Sequence, residues 1–176
     1  DESDLGAFPP DVAVLVESAD EVRTIFAVAS RHRVPVVPVA ARTGKSGGVL
    51  AVRGGIAVST ERLNRILEVS PGDLVARVEP GVKLGDLQAA CEARGLFFPP
   101  DPVSARDCSV GGAVATCAGG LRGAKYGTMK HYVLALTVVL PTGEVVRTGA
   151  RTRKSVTGYD TTSLFVGSEG TLGIFT

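Results

Sequence analysis

Val34-Pro35-Val36-Val37-Pro38-Val39-Ala40-Ala41-Arg42-Thr43-Gly44-Lys45-Ser46-Gly47-Gly48 joins an apolar, β-branched run to a loop of glycines and hydroxyls. The run reads as a strand whose prolines favour an edge or a strand end. Upstream, Val12 to Val16 has the character of a buried strand. Ser18 and Glu21 then form a capping box, and Val22, Ile25, Phe26 and Ala29 share one face of a helix ending near His32. Strand, helix and strand in this order predict a parallel βαβ unit with a right-handed crossover. The glycine loop then lies past the carboxyl end of a strand, where α/β proteins tend to bind ligands.

Downstream, Gly55 to Ser59 predicts another strand, Leu63, Ile66 and Leu67 a short apolar patch, and Leu74 to Val78 a half-buried strand. Leu84, Leu87, Ala90 and Cys91 recur at helical spacing up to Arg94, with Gly95 placed to stop the helix. From Phe97 to Gly127 the periodicity vanishes into Pro, Gly, Ala, Ser and Thr, a loop long enough to be functional. Leu134 to Leu140, the turn Pro141-Thr142-Gly143-Glu144, and Val145 to Thr148 predict a β-hairpin. The segment Leu164 to Ile174 is again glycine-rich. No internal repeat or low-complexity linker is present.

The 176 residues suit one good-sized domain or two small lobes sharing a ligand. Hydrophobic residues make up 44% and charged ones 21%, as in an ordinary globular chain, and the net charge of +1 gives no basic field for nucleic acid. No apolar run approaches the ~20 residues of a transmembrane segment, and Asp1-Glu2-Ser3-Asp4 lacks the pattern of a signal peptide. Cys91, Cys108 and Cys117 read as reduced thiols, which places the expected location in the cytoplasm. Two histidines and three cysteines without ligand spacing predict no metal site.

Glycine is the compositional outlier, with 22 residues against a usual share of ~7%. The clusters fall at 40–48, 101–120 and 167–173. Glycine lets backbone amides approach a phosphate closely, hydroxyls such as Thr43 and Ser46 add donors, and Lys45 offsets charge. Gly44-Lys45-Ser46 echoes the end of a nucleoside-triphosphatase P-loop, but Val39 stands where its first glycine belongs, and Leu134 to Leu140 runs into Pro141 rather than a magnesium-binding Asp. No G-x-G-x-x-G opens a helix after a strand, so a dinucleotide would bind in another way.

Taken in order, the motifs resemble the FAD-linked oxidases of the vanillyl-alcohol-oxidase type, which carry a PCMH-type FAD-binding domain. Val36-Val37-Pro38 followed by Thr43 to Gly48 resembles their pyrophosphate loop, and Gly95-Leu96-Phe97-Phe98-Pro99-Pro100-Asp101-Pro102 their approach to the flavin ring. Gly111-Gly112, Ala118-Gly119-Gly120 and Lys125-Tyr126-Gly127 match the following loop. Gly158-Tyr159-Asp160 and Phe165 to Ile174 resemble the closing signature. The likeness covers nearly the whole chain and leans toward D-lactate and glycolate dehydrogenases.

The resemblance implies an α+β fold of two lobes over residues 1–176, with FAD held non-covalently between them. The first is a small parallel βαβ lobe over about 1–60, and the second a larger mixed-sheet lobe over about 61–176. It implies that Thr43, Gly44, Lys45 and Ser46 hold the pyrophosphate, with Ser109 and Gly112 closing on it. Asp101, Pro102, Thr116, Gly119 and Gly120 would lie near the flavin ring or its linker, and Gly173 with Ile174 near the adenosine or ribityl end. For Gly173 and Ile174, plain strand packing explains the residues nearly as well. The implied activity is oxidation of a D-2-hydroxy acid, with that acid and an electron acceptor as partners of the full-length protein, in the cytoplasm or peripheral to a membrane. The substrate-binding domain of the family, and with it any catalytic residue, would lie beyond this chain.

Departures from the pattern define the alternative. The family's Arg-Gly-x-Gly approach to the phosphate loop is here Val39-Ala40-Ala41-Arg42. A side chain at position 40 or 42 costs about 1–2 kcal/mol if the backbone there is left-handed. Either FAD binding is weakened, or Arg42 compensates as a phosphate partner. Ala113 and Cys117 stand where Asn is common, and His131 where Asp is common. A non-catalytic or engineered flavin-domain fragment that folds without FAD is therefore the second expectation. Cys117 reads as a small packed residue, and His32 and His131 as surface or helix-end histidines.

Overall fold

The computed structural model describes residues 1–176. Three parallel strands open the fold: β1 (Val12–Leu15), β2 (Val36–Val39) and β3 (Ile56–Ser59), with helix α1 (Ala19–His32) between the first two. The strand order is β1-β3-β2. The two strands of the expected βαβ unit are therefore not neighbours, because β3 inserts between them and pairs with both. Burial explains the insertion: Val58 of β3 is fully enclosed, whereas Pro38 denies β2 a ladder donor and leaves it at the edge.

Helix α1 starts at Ser18, whose hydroxyl accepts the Glu21 N–H at 3.2 Å. The reciprocal half of the expected capping box is displaced by one residue, since the Glu21 carboxylate takes the Glu17 N–H at 2.7 Å. At the other end Arg33 adopts φ 54°, with its N–H on Ser30 O and the Val34 N–H on Ala29 O. That is the Schellman arrangement, closed here by an arginine rather than a glycine.

Past residue 60 the strands are all antiparallel and lie in two sheets rather than one mixed sheet. Ile66–Ser70 (β4) pairs with Val75–Val78 (β5), so the apolar patch at 63–67 is partly a strand. Helix α2 (Leu84–Glu92) follows, and Gly95 at φ 70° ends its last turn. The expected long loop contains two short helices, α3 (Val110–Ala115) and α4 (Gly123–Tyr126), and a 3-10 turn at Met129–His131 follows it. The predicted hairpin forms as β6 (Ala135–Val139) and β7 (Val145–Gly149). After α5 (Thr162–Phe165), β8 (Ile174–Phe175) pairs with the other edge of β6.

Strands β6 and β8 knit the lobes together. Val138 lies opposite Phe175 and Val139 opposite Ile174, on alternate faces of the sheet. Val138 and Phe175 join Leu84, Val114, Met129 and Phe165 in the core of the second lobe. Val139 and Ile174 join Val16, Val22, Phe26 and Val58 of the first. One two-residue pairing thus serves two cores.

Glu79 ends the β4–β5 hairpin with a nearly buried carboxylate that accepts the Arg65 guanidinium (2.9 Å at Nε) and the Arg65 N–H (2.8 Å). The guanidinium hydrogen bond holds the carboxyl below the usual carboxylate range, against the opposing effect of burial. A depressed folded value means that the contribution is complete above the unfolded value of about 4.3 and is lost as pH falls through the lower folded one. Urea unfolding below about pH 4.3 is expected to show a shallower acid loss of stability in Glu79→Gln than in the parent; equal slopes would contradict the assignment.

Candidate functional site

A cleft of about 620 Å³ opens between the lobes, within the size range of small-molecule sites. Its first wall is the end of β2 and the loop that follows, residues 38–46. The opposite wall is α3 with the segment before it, and Gly173 with β8 (Ile174 and Phe175) closes the floor. Glu169 and Gly170 approach from the turn preceding β8.

The loop's backbone gives the cleft its chemistry. None of the N–H groups from Ala40 through Gly48 donates to an acceptor within the chain. A run of unspent donors at a half-buried cleft wall suits an anion, because buried amides otherwise find partners. Gly44 presents open space, with no atom within 4 Å of where a side chain would begin. Thr43 and Ser46 add hydroxyls, the latter 3.5 Å from the Glu169 carboxylate. Only Arg42 of the altered Val39-Ala40-Ala41-Arg42 stretch has a left-handed backbone, at φ 61°. No helix follows the loop before α2, which separates it from a P-loop.

An acidic N-terminal segment lies along this loop, with Asp1 on the cleft lining. The Glu2 N–H donates to Gly44 O at 3.0 Å, and its carboxylate is 3.8 Å from Lys45 Nζ. The Leu5 side chain packs where Gly47, at φ 80°, lacks a Cβ.

The facing wall is built for close approach. Gly111 leaves no room for a side chain, since a Cβ would meet Pro80 Cβ at 2.5 Å. A Cβ on Gly112 would lie 3.0 Å from that of Ala40, so the two walls touch there. Ser109 is buried and caps α3 by accepting the Gly112 N–H at 3.3 Å. That amide is thereby engaged, and what Ser109 keeps for the cleft is its hydroxyl proton. Cys108 also lines the cleft, where burial pushes its thiol up.

The structure gathers Arg42, Thr43, Gly44, Lys45, Ser46, Pro102, Ser109, Gly112, Thr116, Gly173 and Ile174 on the cleft wall. Asp101, Gly119 and Gly120 lie outside that lining. Asp101 bridges to Gly120 and pairs with Arg122 at 3.3 Å, which pins the loop shut behind Pro102. Pro38, Pro80, Gly111 and Glu169 are lining residues that sequence reasoning did not assign to the site; Pro38, Gly111 and Glu169 lie within recognised motifs, whereas Pro80 carries no local signal. Ile174 both lines the floor and fills the first lobe's core. Cys117 adopts φ 52° and closes α3 in a second Schellman turn, with its Sγ 3.3 Å from Thr128 Oγ1. His131 Nδ1 accepts the Thr128 N–H at 3.0 Å, closing the 3-10 turn.

A cleft walled on one side by free amides and on the other by small residues suits a phosphate-bearing ligand. A family profile described as an FAD binding domain matches residues 10–149. The chain is 46% identical over 167 residues to glycolate oxidase subunit GlcD of Bacillus subtilis, covering 95% of this chain and 36% of the relative. It is 44% identical over 171 residues to D-lactate dehydrogenase of Anaerostipes hadrus, covering 97% and 36%. Among solved structures, alkyldihydroxyacetonephosphate synthase superposes with a TM-score of 0.79 at 27% identity, over 93% of this chain and 32% of that one. The fold is also that of 6-hydroxy-D-nicotine oxidase from Arthrobacter nicotinovorans, with a TM-score of 0.79 at 20% identity over 99% and 36%. The chain belongs to this family of FAD-binding domains, and its cofactor is FAD. It spans about a third of the length of the curated relatives it matches. No helix is long and apolar enough to cross a membrane.

Proposed function

We propose that this chain is the cofactor domain of a flavoprotein that oxidises a D-2-hydroxy acid such as lactate or glycolate. The observation that carries the proposal is the free amide run at residues 40–48 beside the open space at Gly44. The loop amides and the Thr43 and Ser46 hydroxyls bind the pyrophosphate, with Ser109 donating from the opposite wall. Pro102 and Thr116 border the flavin end, and Gly173 with Ile174 the adenosine end. Bound FAD supplies the two-electron acceptor for a hydride leaving the α-carbon of the acid. The chain's own residues bind and orient it and exclude water along the small-residue wall.

The attachment is non-covalent in this reading, because no histidine lines the cleft and burial raises the Cys108 thiol. The relatives' names support the acid as substrate. Their greater length supports a second domain that carries the substrate-binding and catalytic residues. An electron acceptor then receives the electrons, in the cytoplasm or at a membrane surface. A flavin fold that stays empty is disfavoured, since Ala40 and Ala41 have ordinary backbone angles and the loop amides remain free.

The test is anaerobic addition of D-lactate, L-lactate and glycolate to the FAD-loaded protein that contains this domain. Bleaching of the flavin band by glycolate or the D-acid, and not by the L-acid, is expected. No bleaching by any 2-hydroxy acid would overturn the substrate assignment.

A further inference from the structure

Four charged side chains line the cleft: Arg42 and Lys45 against Asp1 and Glu169. The four side-chain charges cancel only with Arg42 counted. The two cations are not equivalent. Lys45 is already within 3.8 Å of the Glu2 carboxylate. Arg42 is in none of the chain's ion pairs and its guanidinium makes no hydrogen bond. It is also exposed, and it borders a neighbouring polar cavity of about 420 Å³ that shares Ala40, Ala41 and Ser109 with the cleft.

Arg42 holds this position at a conformational cost. Its φ of 61° lies in the region that glycine enters freely and side chains do not. We propose that Arg42 is a phosphate-binding residue, the cleft cation left free for an incoming pyrophosphate: without it Lys45 alone would face the Asp1 and Glu169 carboxylates. The inference rests on the reading of the cleft as the FAD site. A guanidinium offers a planar fork of donors that matches two phosphate oxygens, where an ammonium offers a point charge. Arg42 immediately precedes the free amides of Thr43 to Ser46, so charge and dipoles converge on one anion.

Stability and affinity therefore oppose each other at this residue. Arg42→Gly relieves the backbone and is expected to raise the Tm of the ligand-free protein by about 2–4 °C. It is also expected to weaken FAD about tenfold, the loss of a charge-assisted hydrogen bond. Arg42→Lys keeps the charge and the strained backbone. It should retain the parent's Tm and salt sensitivity, with an affinity between those of the parent and Arg42→Gly.

The experiment pairs thermal unfolding without ligand with titrations of FAD, read by flavin fluorescence, and of ADP, read by calorimetry. Each titration is run at low and at high salt. A weaker, less salt-sensitive Arg42→Gly supports the proposal, because exposed charge interactions are screened. Undiminished binding of FAD and ADP by the stabilised Arg42→Gly overturns it. If the parent binds ADP through Arg42 but not FAD, the phosphate role stands and the flavin reading falls. If it binds neither, both are overturned.

Discussion

Gly44→Val is expected to leave the fold intact and to remove FAD binding. A side chain at position 44 meets nothing within 4 Å, and the residue's φ is not left-handed. The cost to stability should therefore stay within about 0.5 kcal/mol, as for other surface changes that touch nothing. The same open space is the cleft beside the free amides, so the isopropyl group stands where the pyrophosphate must approach. An affinity loss of about a hundredfold, or roughly 2.7 kcal/mol, is expected. Thermal unfolding without ligand and a flavin titration separate the two effects. An unchanged dissociation constant would place the ligand elsewhere.

Gly120→Ala is expected to act in the opposite way, through the fold. Gly120 has φ 91°, and a Cβ there would overlap the Asp101 carbonyl. That contact belongs to the bridge in which the Asp101 N–H donates to Gly119 O at 3.1 Å and the Leu121 N–H donates to Asp101 O at 3.3 Å. Arg122, paired with Asp101, stacks over the Phe97 ring at 5.2 Å, so the whole loop from 97 to 122 hangs on this point. Left-handed strain and a backbone clash together are expected to cost about 3 kcal/mol, lowering Tm by roughly 6–12 °C. Gly123→Ala is the control, since it has no neighbour within 4 Å and opens α4. It should be neutral or slightly stabilising. Equal melting of the two variants would remove the structural role assigned to the bridge.

The two glycines show what the sequence could and could not convey. Clustering marked both, but only coordinates separate a glycine facing empty cleft from one facing a carbonyl. The first lobe was legible because α1 has a clear apolar face and Pro35 and Pro38 mark an edge strand. The insertion of β3 between β1 and β2 was not, because strand order depends on which strand is buried on both sides. Strand β4 escaped notice because the register shifts between Ile66 and Glu68, which breaks the alternation that betrays a strand. Helix α3 is Val-Gly-Gly-Ala-Val-Ala, with no polar face to set a period. It forms because Ala113 and Val114 are buried and Ser109 caps it.

The site was legible as three loops and obscure in its wiring. Thr43 to Ser46 carried the residue types of a phosphate loop, whereas the absence of any acceptor for their amides is a tertiary fact. The pairing of Lys45 with Glu2 and the approach of Glu169 to Ser46 join residues far apart in sequence. Neither has a local pattern. Arg42 stood out as a departure, and its left-handed φ turned that departure into a physical question with a sign.

The central claim is that the cleft between the free amides of residues 40–48 and helix α3 holds FAD. The direct measurement is to incubate the protein with excess FAD, desalt it, and record the visible spectrum and the flavin-to-protein ratio. A retained flavin band at an equimolar ratio is the predicted result. A colourless protein after incubation with FAD well above micromolar would contradict it.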